Sequence, residues 1–432
     1  MSNLIIHGGR PLHGEIVPSA NKNAALPILC ATLLTEAEVT LRRVPDITDV
    51  RKILDFFRAL GSRVDADLGE GTVRLRHGGG LRAEGGRLPA GMRSTIMLIP
   101  PLLRRLGRAA LEDDVKGCTL GVREIDPHME VLAAFGARVD SEPGLIRLSA
   151  PGRFKAARHW LDYASVTTTE NFILCAAMAE GTSELTNAAS EPHVQELCAF
   201  LTAMGARISG GGTSRVSIEG VAELGGCDFT LADDFHEVAT FLAVGAITGG
   251  QVRVRNDQPE QFPLIDRAFH KLGVDVSHSG GWSSVRTDGP LKVRAPFTSY
   301  ILPKIEAAPW PYLPVDLLPI FVALGARAEG SVLFWNKVYE GALGWSSELS
   351  KFGAHTLLCD PHRMVTFGGK PLVPAEVESP YIIRVAIALF MVAASIEGRS
   401  VILNATPIQR AHPRFVENLT ALGADVEWTA QE

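Results

Sequence analysis

Five segments of this chain set cations, acids and a thiol where they could do chemistry. The first is Ser19-Ala20-Asn21-Lys22-Asn23-Ala24-Ala25-Leu26-Pro27, in which two amides and an ammonium stand immediately before an apolar helical run. A helix N-terminus offers unpaired N–H groups and partial positive charge, so a lysine beside it makes an anion site. The same residues also describe an ordinary capped helix start. The second is Gly91-Met92-Arg93-Ser94-Thr95, which opens an apolar run through Ile96 to Leu103. Its arginine could grip a phosphate or carboxylate through two N–H groups, or lie in solvent. The third runs from Asp113 to His128 and holds Cys118 between Gly117 and Gly121, with Lys116 and Arg123 close by. Cys30 and Cys175 sit in apolar helical runs and read as small core residues. Cys118 instead lies in a glycine-bracketed, electropositive loop, which favours the thiolate and hence reactivity. The fourth segment, Pro314-Val315-Asp316-Leu317-Leu318, supplies Asp316, and the fifth, the stretch 381–412, supplies the arginines Arg384 and Arg410. Arg384 is flanked by Ile382, Ile383, Val385 and Ala386, so it either snorkels or faces an anion in a cleft.

The elements that must position these residues are repeated. Six apolar helices end in nearly the same phrase: Ala-Leu-Gly-Ser-Arg-Val at 59–64, Ala-Phe-Gly-Ala-Arg-Val at 134–139, Ala-Met-Gly-Ala-Arg-Ile at 203–208, Lys-Leu-Gly-Val-Asp-Val at 271–276, Lys-Phe-Gly-Ala-His-Thr at 351–356 and Ala-Leu-Gly-Ala-Asp-Val at 421–426. A period of about 70 residues is too long for a solenoid turn, so each copy is a compact unit of several elements. The glycine stands just past a helix end, where the chain turns through positive φ before starting a strand. A second phrase alternates with it: Glu180-Gly181, Glu329-Gly330 and Glu397-Gly398 each join a helix to a strand. Each unit therefore reads as helix, strand, helix and a strand pair, which is α/β with both element types mixed. Six units divide into two domains of three.

Composition narrows the class further. Hydrophobic residues make up 46% and charged residues 21% of 432, enough for large buried cores and against wholesale disorder. A net charge of −6 argues against a general nucleic-acid binder. The start, Met1-Ser2-Asn3-Leu4-Ile5-Ile6, has no charged region and no long apolar core, so no secretory signal is expected. The longest apolar stretch, residues 381–395, is broken by Arg384 and is too short for a membrane span. Six cysteines without CxxC spacing suit a reducing cytoplasm and give no metal signature. There is no Walker lysine motif and no GxGxxG opening a helix, so the usual nucleotide-cofactor readings fail.

Taken together, Lys22-Asn23-Ala24-Ala25-Leu26-Pro27, Met92-Arg93, Gly117-Cys118-Thr119-Leu120-Gly121-Val122-Arg123 and the six repeats resemble the enolpyruvyl transferase family essentially from end to end. The cysteine segment points to its uridine-nucleotide branch, because the branch that makes 5-enolpyruvylshikimate 3-phosphate lacks such a loop. The resemblance implies a two-domain inside-out α/β barrel of six βαβαββ repeats, three per domain. Residues 22–231 would form one domain, and 1–21 with 232–432 the other. It implies a reaction without cofactor or metal, in which phosphoenolpyruvate gives its enolpyruvyl group to a hydroxyl of a uridine nucleotide. Lys22, Arg93 and Arg123 would hold the phosphate, and Arg384 and Arg410 the carboxylate. Cys118 would act in acid chemistry or product release, and Asp316 would take the hydroxyl proton. The acceptor nucleotide would meet Asn23, Arg123, Asp126, His128, Ser165, Val166, Asp316 and Val338. No membrane or nucleic-acid partner is implied, and the oligomeric state is open.

Three positions depart from the family pattern. Ala342 stands where the family has arginine, Ile382 where it has aspartate, and Thr167 where it has glycine. Loss of a charge-assisted contact typically costs ~1.5–3 kcal/mol, so these changes bear on the acceptor. UDP-N-acetylglucosamine is the acceptor the resemblance implies. The departures leave open a paralogue that modifies another nucleotide, such as uridine monophosphate in a nucleoside natural-product pathway. They also leave open a catalytically silent paralogue that only binds nucleotide.

Overall fold

The computed structural model describes residues 2–82, 88–89, 92–112, 124–150, 152–287, 289–298, 300–408, 412 and 414–430, without the side chains of Arg93 and Ala430. Cys118, Arg123 and Arg410 lie outside the described residues. The chain forms two compact units and passes between them at 19–20 and 232–233. Each unit has its own hydrophobic core.

In the unit spanning 20–232, the helix Lys22–Thr32 buries nine of its eleven residues. In the other unit, Phe235–Thr248 buries thirteen of fourteen and Ile383–Ala394 eleven of twelve. Helices that are apolar all round have no solvent face, so they must occupy the middle of their cores. The strands behave differently. Gln251–Arg255 and Arg215–Glu219, for example, alternate between buried and less buried positions, as expected for sheets with one solvated face.

Among the described residues there are six sheets. Five have four strands in a common order: a parallel pair, then two antiparallel neighbours. The sixth, built from Arg108–Glu112, Leu145–Ser149 and Arg138–Glu142, shows the antiparallel three. Two of the parallel strands come from far along the chain. Asp228–Thr230 lies beside Val39–Arg42, and His13–Ile16 beside Gln251–Arg255. Arg42 clasps Asp228 with two hydrogen bonds of 2.8 and 2.6 Å across the first of these pairs. Each of these strands ends within three residues of a crossing between the units, so both crossings are anchored in sheets.

The six glycines of the repeated phrase have φ of 81–101°. Each donates its N–H to the carbonyl three residues back at 2.9–3.0 Å, as Gly61 does to Arg58 and Gly205 to Thr202. The next residue donates five back, at 2.9–3.2 Å, as Ser62 does to Phe57 and Ala206 to Leu201. That pair of bonds is the Schellman closure, which satisfies two orphan carbonyls and turns the chain toward the following strand. A side chain would be strained at any of the six positions, and at Gly273 a Cβ would also meet the Lys292 carbonyl at 2.5 Å.

The helix that carries Lys22 is held at its far end by Arg105. Its guanidinium donates to the carbonyls of Leu33, Thr35, His77 and Gly78 at 2.8–3.3 Å and pairs with Glu36. A cation there satisfies terminal carbonyls and complements the helix dipole. Beside it, His77 is buried between Thr32 Oγ1 at 2.9 Å and Ser62 Oγ at 2.7 Å, with Phe57 edge-on. Burial, aided by the Arg105 charge, lowers the His77 pKa from 6.5 to about 3.

A stability prediction follows from the sign of that shift. Below pH 6.5 the unfolded chain takes up a proton that the folded chain refuses. The stabilising contribution is therefore complete above pH 6.5 and is lost as pH falls towards 3. The loss amounts to roughly 4–5 kcal/mol over the full interval. Denaturant titrations at pH 7 and pH 4.5 should show a smaller pH-dependent loss in His77→Asn than in the parent chain. Equal losses in the two proteins would refute a neutral, buried His77.

Candidate active site

The unit spanning 20–232 brings one group of candidate residues onto packed elements. Asn21 caps the helix Lys22–Thr32, accepting the Asn23 N–H on its side chain at 3.0 Å, and its own N–H donates to the Ala232 carbonyl at 3.0 Å. Lys22 and Asn23 therefore occupy the first turn, at the positive end of a buried helix and beside a crossing strand. That helix packs on the short 3₁₀ helix Arg93–Leu98, which packs on the helix Val166–Ala176, which packs on Asp126–Ala134. Arg93, Val166 and Asp126 thus stand at the openings of neighbouring elements.

His128 ties two of those elements together. It is 1% exposed. Its Nδ1 lies 2.9 Å from Asn171 Nδ2 and its Nε2 lies 3.2 Å from Thr167 Oγ1. The same Asn171 nitrogen donates to the Ile96 carbonyl at 3.3 Å, which fixes the amide orientation. Nδ1 is then an acceptor, and Nε2 carries the proton that it gives to Thr167. The sequence reading made His128 a nucleotide contact. It lies buried at the opening of the Val166 helix, with both ring nitrogens engaged. At that opening Ser165 shares a 2.8 Å hydrogen bond with Thr168, and the Ser165 carbonyl accepts from the Thr169 hydroxyl at 2.8 Å. Thr167 is thus the residue through which His128 steadies this turn.

The second group lies in the other unit around Arg384, the second residue of the helix Ile383–Ala394 and only 7% exposed. Its Nη1 donates to His412 Nε2 at 3.0 Å and approaches Thr240 Oγ1 at 3.4 Å. His412 Nδ1 lies 3.9 Å from Glu237 Oε1, and Glu237 Oε2 accepts the Ser19 N–H at 2.8 Å. Asp234 caps the helix Phe235–Thr248 by accepting the His236 N–H at 2.9 Å and pairs with the His236 ring at 3.2 Å. Burial pushes the Asp234 carboxyl up, but the His236 hydrogen bond and the charges of His236, Arg384 and His412 hold it well below the usual carboxylate range. Burial lowers the His412 pKa, outweighing the pull of Glu237. At neutral pH this is a buried arginine with a neutral imidazole against it and acids one step away.

Asp316 lies on the turn Val315–Leu317, which packs against the helix Phe235–Thr248. Val338 sits partly exposed past the strand Gly330–Asn336, its N–H taken by the Asn336 side chain at 3.0 Å. Ile382 is 9% exposed, packs in the core and caps the Arg384 helix without a side-chain bond. Ala342 lies in the turn before the helix Ser346–Lys351. Among the described residues no cluster of three or more His, Cys, Asp or Glu could hold a metal.

Sequence reasoning missed Asp234, Glu237, Thr240 and His412. A signal was present: Asp233-Asp234-Phe235-His236-Glu237 opens a long apolar run, and charges at that boundary need partners.

The fold is shared with solved enolpyruvyl-transferring enzymes. The structure of the enolpyruvyl transferase NikO from Streptomyces tendae matches with a TM-score of 0.87 at 24% identity, covering 100% of this chain and 99% of that one. EPSP synthase from Acinetobacter baumannii matches with a TM-score of 0.76 at 18% identity over the whole of both chains. The chain belongs to the enolpyruvyl transferase family: residues 6–419 match the family model described as EPSP synthase (3-phosphoshikimate 1-carboxyvinyltransferase). Among its relatives are proteins named UDP-N-acetylglucosamine 1-carboxyvinyltransferase. The one from Borreliella burgdorferi is 36% identical over 99% of both chains, and the one from Treponema pallidum 38% over 99% of both. Another, from Bradyrhizobium diazoefficiens, is 37% identical over 98% of this chain and 97% of its own.

Proposed function

We propose that this protein transfers the enolpyruvyl group of phosphoenolpyruvate to a hydroxyl of UDP-N-acetylglucosamine, as in peptidoglycan precursor synthesis. The observation that carries the reading is end-to-end likeness, at 36–38% identity, to relatives named for that reaction. In the reaction the methylene carbon of phosphoenolpyruvate gains a proton and the acceptor oxygen bonds to the central carbon. Asp316 takes the proton of the attacking hydroxyl. The resulting ketal then loses a methyl proton and its carbon–oxygen bond to phosphate breaks, which restores the double bond.

Lys22, Arg93 and Arg123 are assigned to the phosphate, Arg384 and Arg410 to the carboxylate, and Cys118 to the acid step or product release. Cations placed where charge moves stabilise both addition and elimination. Asn23, Arg123, Asp126, His128, Ser165, Val166, Asp316 and Val338 are assigned to the acceptor. The proposed architecture is six βαβαββ repeats with helices inside and sheets outside, three per domain. Its support is the strand order common to five sheets and the six matching helix closures. The proposed domain boundaries fall at the two crossings, near 19–22 and 230–233. Among the described residues no helix is long and apolar enough to cross a membrane. The substrates are soluble anions, and the reaction is proposed for the cytoplasm.

Phosphate release from phosphoenolpyruvate, measured against a panel of uridine nucleotides and shikimate 3-phosphate, tests the reading. Release with UDP-N-acetylglucosamine supports it. Release with uridine monophosphate alone would reassign the acceptor, and no release with any member would leave a nucleotide-binding protein.

Cys118 provides a separate test. Cys30, Cys175 and Cys198 are buried, and burial raises their thiol pKa values, that of Cys198 to about 12. Cys227 is half-buried and burial raises its thiol too, whereas Cys359 is exposed. A phosphonate epoxide such as fosfomycin should therefore alkylate Cys118, with Cys359 as the control for simple exposure. UDP-N-acetylglucosamine should speed the reaction if Cys118 belongs to the site. Mass spectrometry that finds Cys359 labelled as fast as Cys118, without nucleotide dependence, would remove Cys118 from the mechanism.

A further inference from the structure

The contacts of Arg384 form a line with a direction. Arg384 donates an N–H to His412 Nε2 at 3.0 Å, so that ring nitrogen is an acceptor and the proton of the neutral ring sits on Nδ1. Nδ1 faces Glu237 Oε1 at 3.9 Å, and the other Glu237 oxygen takes the Ser19 N–H at 2.8 Å. Ser19 is the last residue before the chain crosses between units, and its carbonyl accepts the Asp234 N–H at 2.9 Å. Arg384, His412, Asp234 and Glu237 are each at most 7% exposed. An arginine so enclosed keeps one orientation only if its N–H groups are accepted.

The acceptor matters as much as the contact. A carboxylate against Arg384 would neutralise it and compete with an incoming substrate carboxylate. An imidazole accepts one N–H and leaves the positive charge whole, and Thr240 Oγ1 lies 3.4 Å from the same nitrogen. At Ile382, where the family has an aspartate, this chain has a core side chain. The polar partner of Arg384 comes instead from His412, on a different element.

We propose that His412 is the positioning residue for Arg384: as a neutral imidazole it accepts the Arg384 N–H and aims the guanidinium at the carboxylate of phosphoenolpyruvate. The proposal rests on the assignment of Arg384 to that carboxylate. Proton uptake would undo the arrangement. An imidazolium has no free acceptor at Nε2 and would repel Arg384. The groups facing it are Arg384 from one helix and Glu237 and Asp234 from another, with His236 behind Asp234. Burial and Arg384 oppose the charged ring, so its protonation falls below the usual imidazole range.

The test measures phosphoenolpyruvate binding and steady-state turnover of the full chain from pH 5 to 8, for the parent and for Arg384→Ala, His412→Gln and His412→Phe. The glutamine can accept the Arg384 N–H but cannot titrate, while the phenylalanine cannot accept. The expected result for His412→Phe is a rise of about tenfold in the KM for phosphoenolpyruvate, with the acceptor KM changed less than threefold. His412→Gln should return that KM to within about threefold of the parent at about pH 7. Equal rises in both KM values for His412→Phe would overturn the proposal. So would a rise of about tenfold or more in the phosphoenolpyruvate KM of a folded His412→Gln, which also covers the case in which the phenylalanine variant does not fold. If Arg384→Ala binds phosphoenolpyruvate as tightly as the parent, the carboxylate assignment itself fails, and the proposal with it. If Arg384→Ala binds weakly but His412→Phe does not, only the role of His412 fails.

Discussion

Replacing Arg384 by alanine raises the KM for phosphoenolpyruvate by about 10–150-fold, the equivalent of one lost charge-assisted contact. The acceptor KM should stay within about threefold of the parent. The expectation comes from placement. Arg384 is in the first turn of a helix whose following residues are all buried. Such a helix cannot shift without disturbing the whole core, so the guanidinium is held at a fixed point. Removing it also takes away a positive charge that helps hold the buried Asp234 ionised, which lowers stability. The kinetic comparison therefore needs a variant that keeps the charge. Arg384→Lys should retain more of the stability but not the parent KM, since an ammonium cannot reproduce a two-pronged guanidinium contact. Steady-state kinetics in both substrates, with thermal unfolding as a control, provide the check. Equal rises in both KM values would show that Arg384 holds the site together and does not grip the carboxylate.

Much of this organisation is legible in the sequence because it rests on local rules. A glycine just past a helix end is required wherever the chain must turn through positive φ. The six glycines therefore mark six helix ends, and all six carry the Schellman bonds. Runs such as Phe235–Thr248, apolar on every face, announce core helices without any knowledge of partners. The opening of the Lys22 helix is readable for the same reason, since Asn21 caps it from two residues away. What could not be read is pairing over distance. Asp228–Thr230 completes a sheet begun by Val39–Arg42, nearly two hundred residues earlier, and nothing in either strand names the other. Arg384 and His412 meet from different elements, and Glu237 reaches them from a third. His128 is assigned to the acceptor through the resemblance of residues 123–128 to a uridine-contacting segment, and its neighbours in space are not legible in the sequence. Its burial depends on Asn171 and Thr167, which no spacing rule connects to it. Ile382 shows the converse. In sequence it stands where the resemblance leads one to expect an aspartate, while in the fold it is a core residue, and the nearby Arg384 meets His412 instead.

The largest effect on rate is expected at Asp316. Changing it to asparagine should lower kcat by about 10²–10⁴-fold, the usual contribution of a positioned proton-transfer group. The side chain belongs to the turn Val315–Leu317, which leads directly into the buried helix Leu318–Arg327 and packs against the helix carrying Asp234 and Glu237. A base set on such a support keeps its geometry when its charge is removed, because asparagine matches aspartate in shape. The two KM values should therefore change by no more than about threefold. Asparagine can still accept a hydrogen bond from the acceptor hydroxyl, but it cannot take its proton, so addition stalls while binding persists. Asp316→Glu retains a carboxylate at a displaced position and should fall between asparagine and the parent. Single-turnover phosphate release separates the possibilities. A slow chemical step with normal binding supports Asp316 as the base. A rise in acceptor KM with kcat preserved would mean that Asp316 only orients the acceptor, and that its proton leaves by another route.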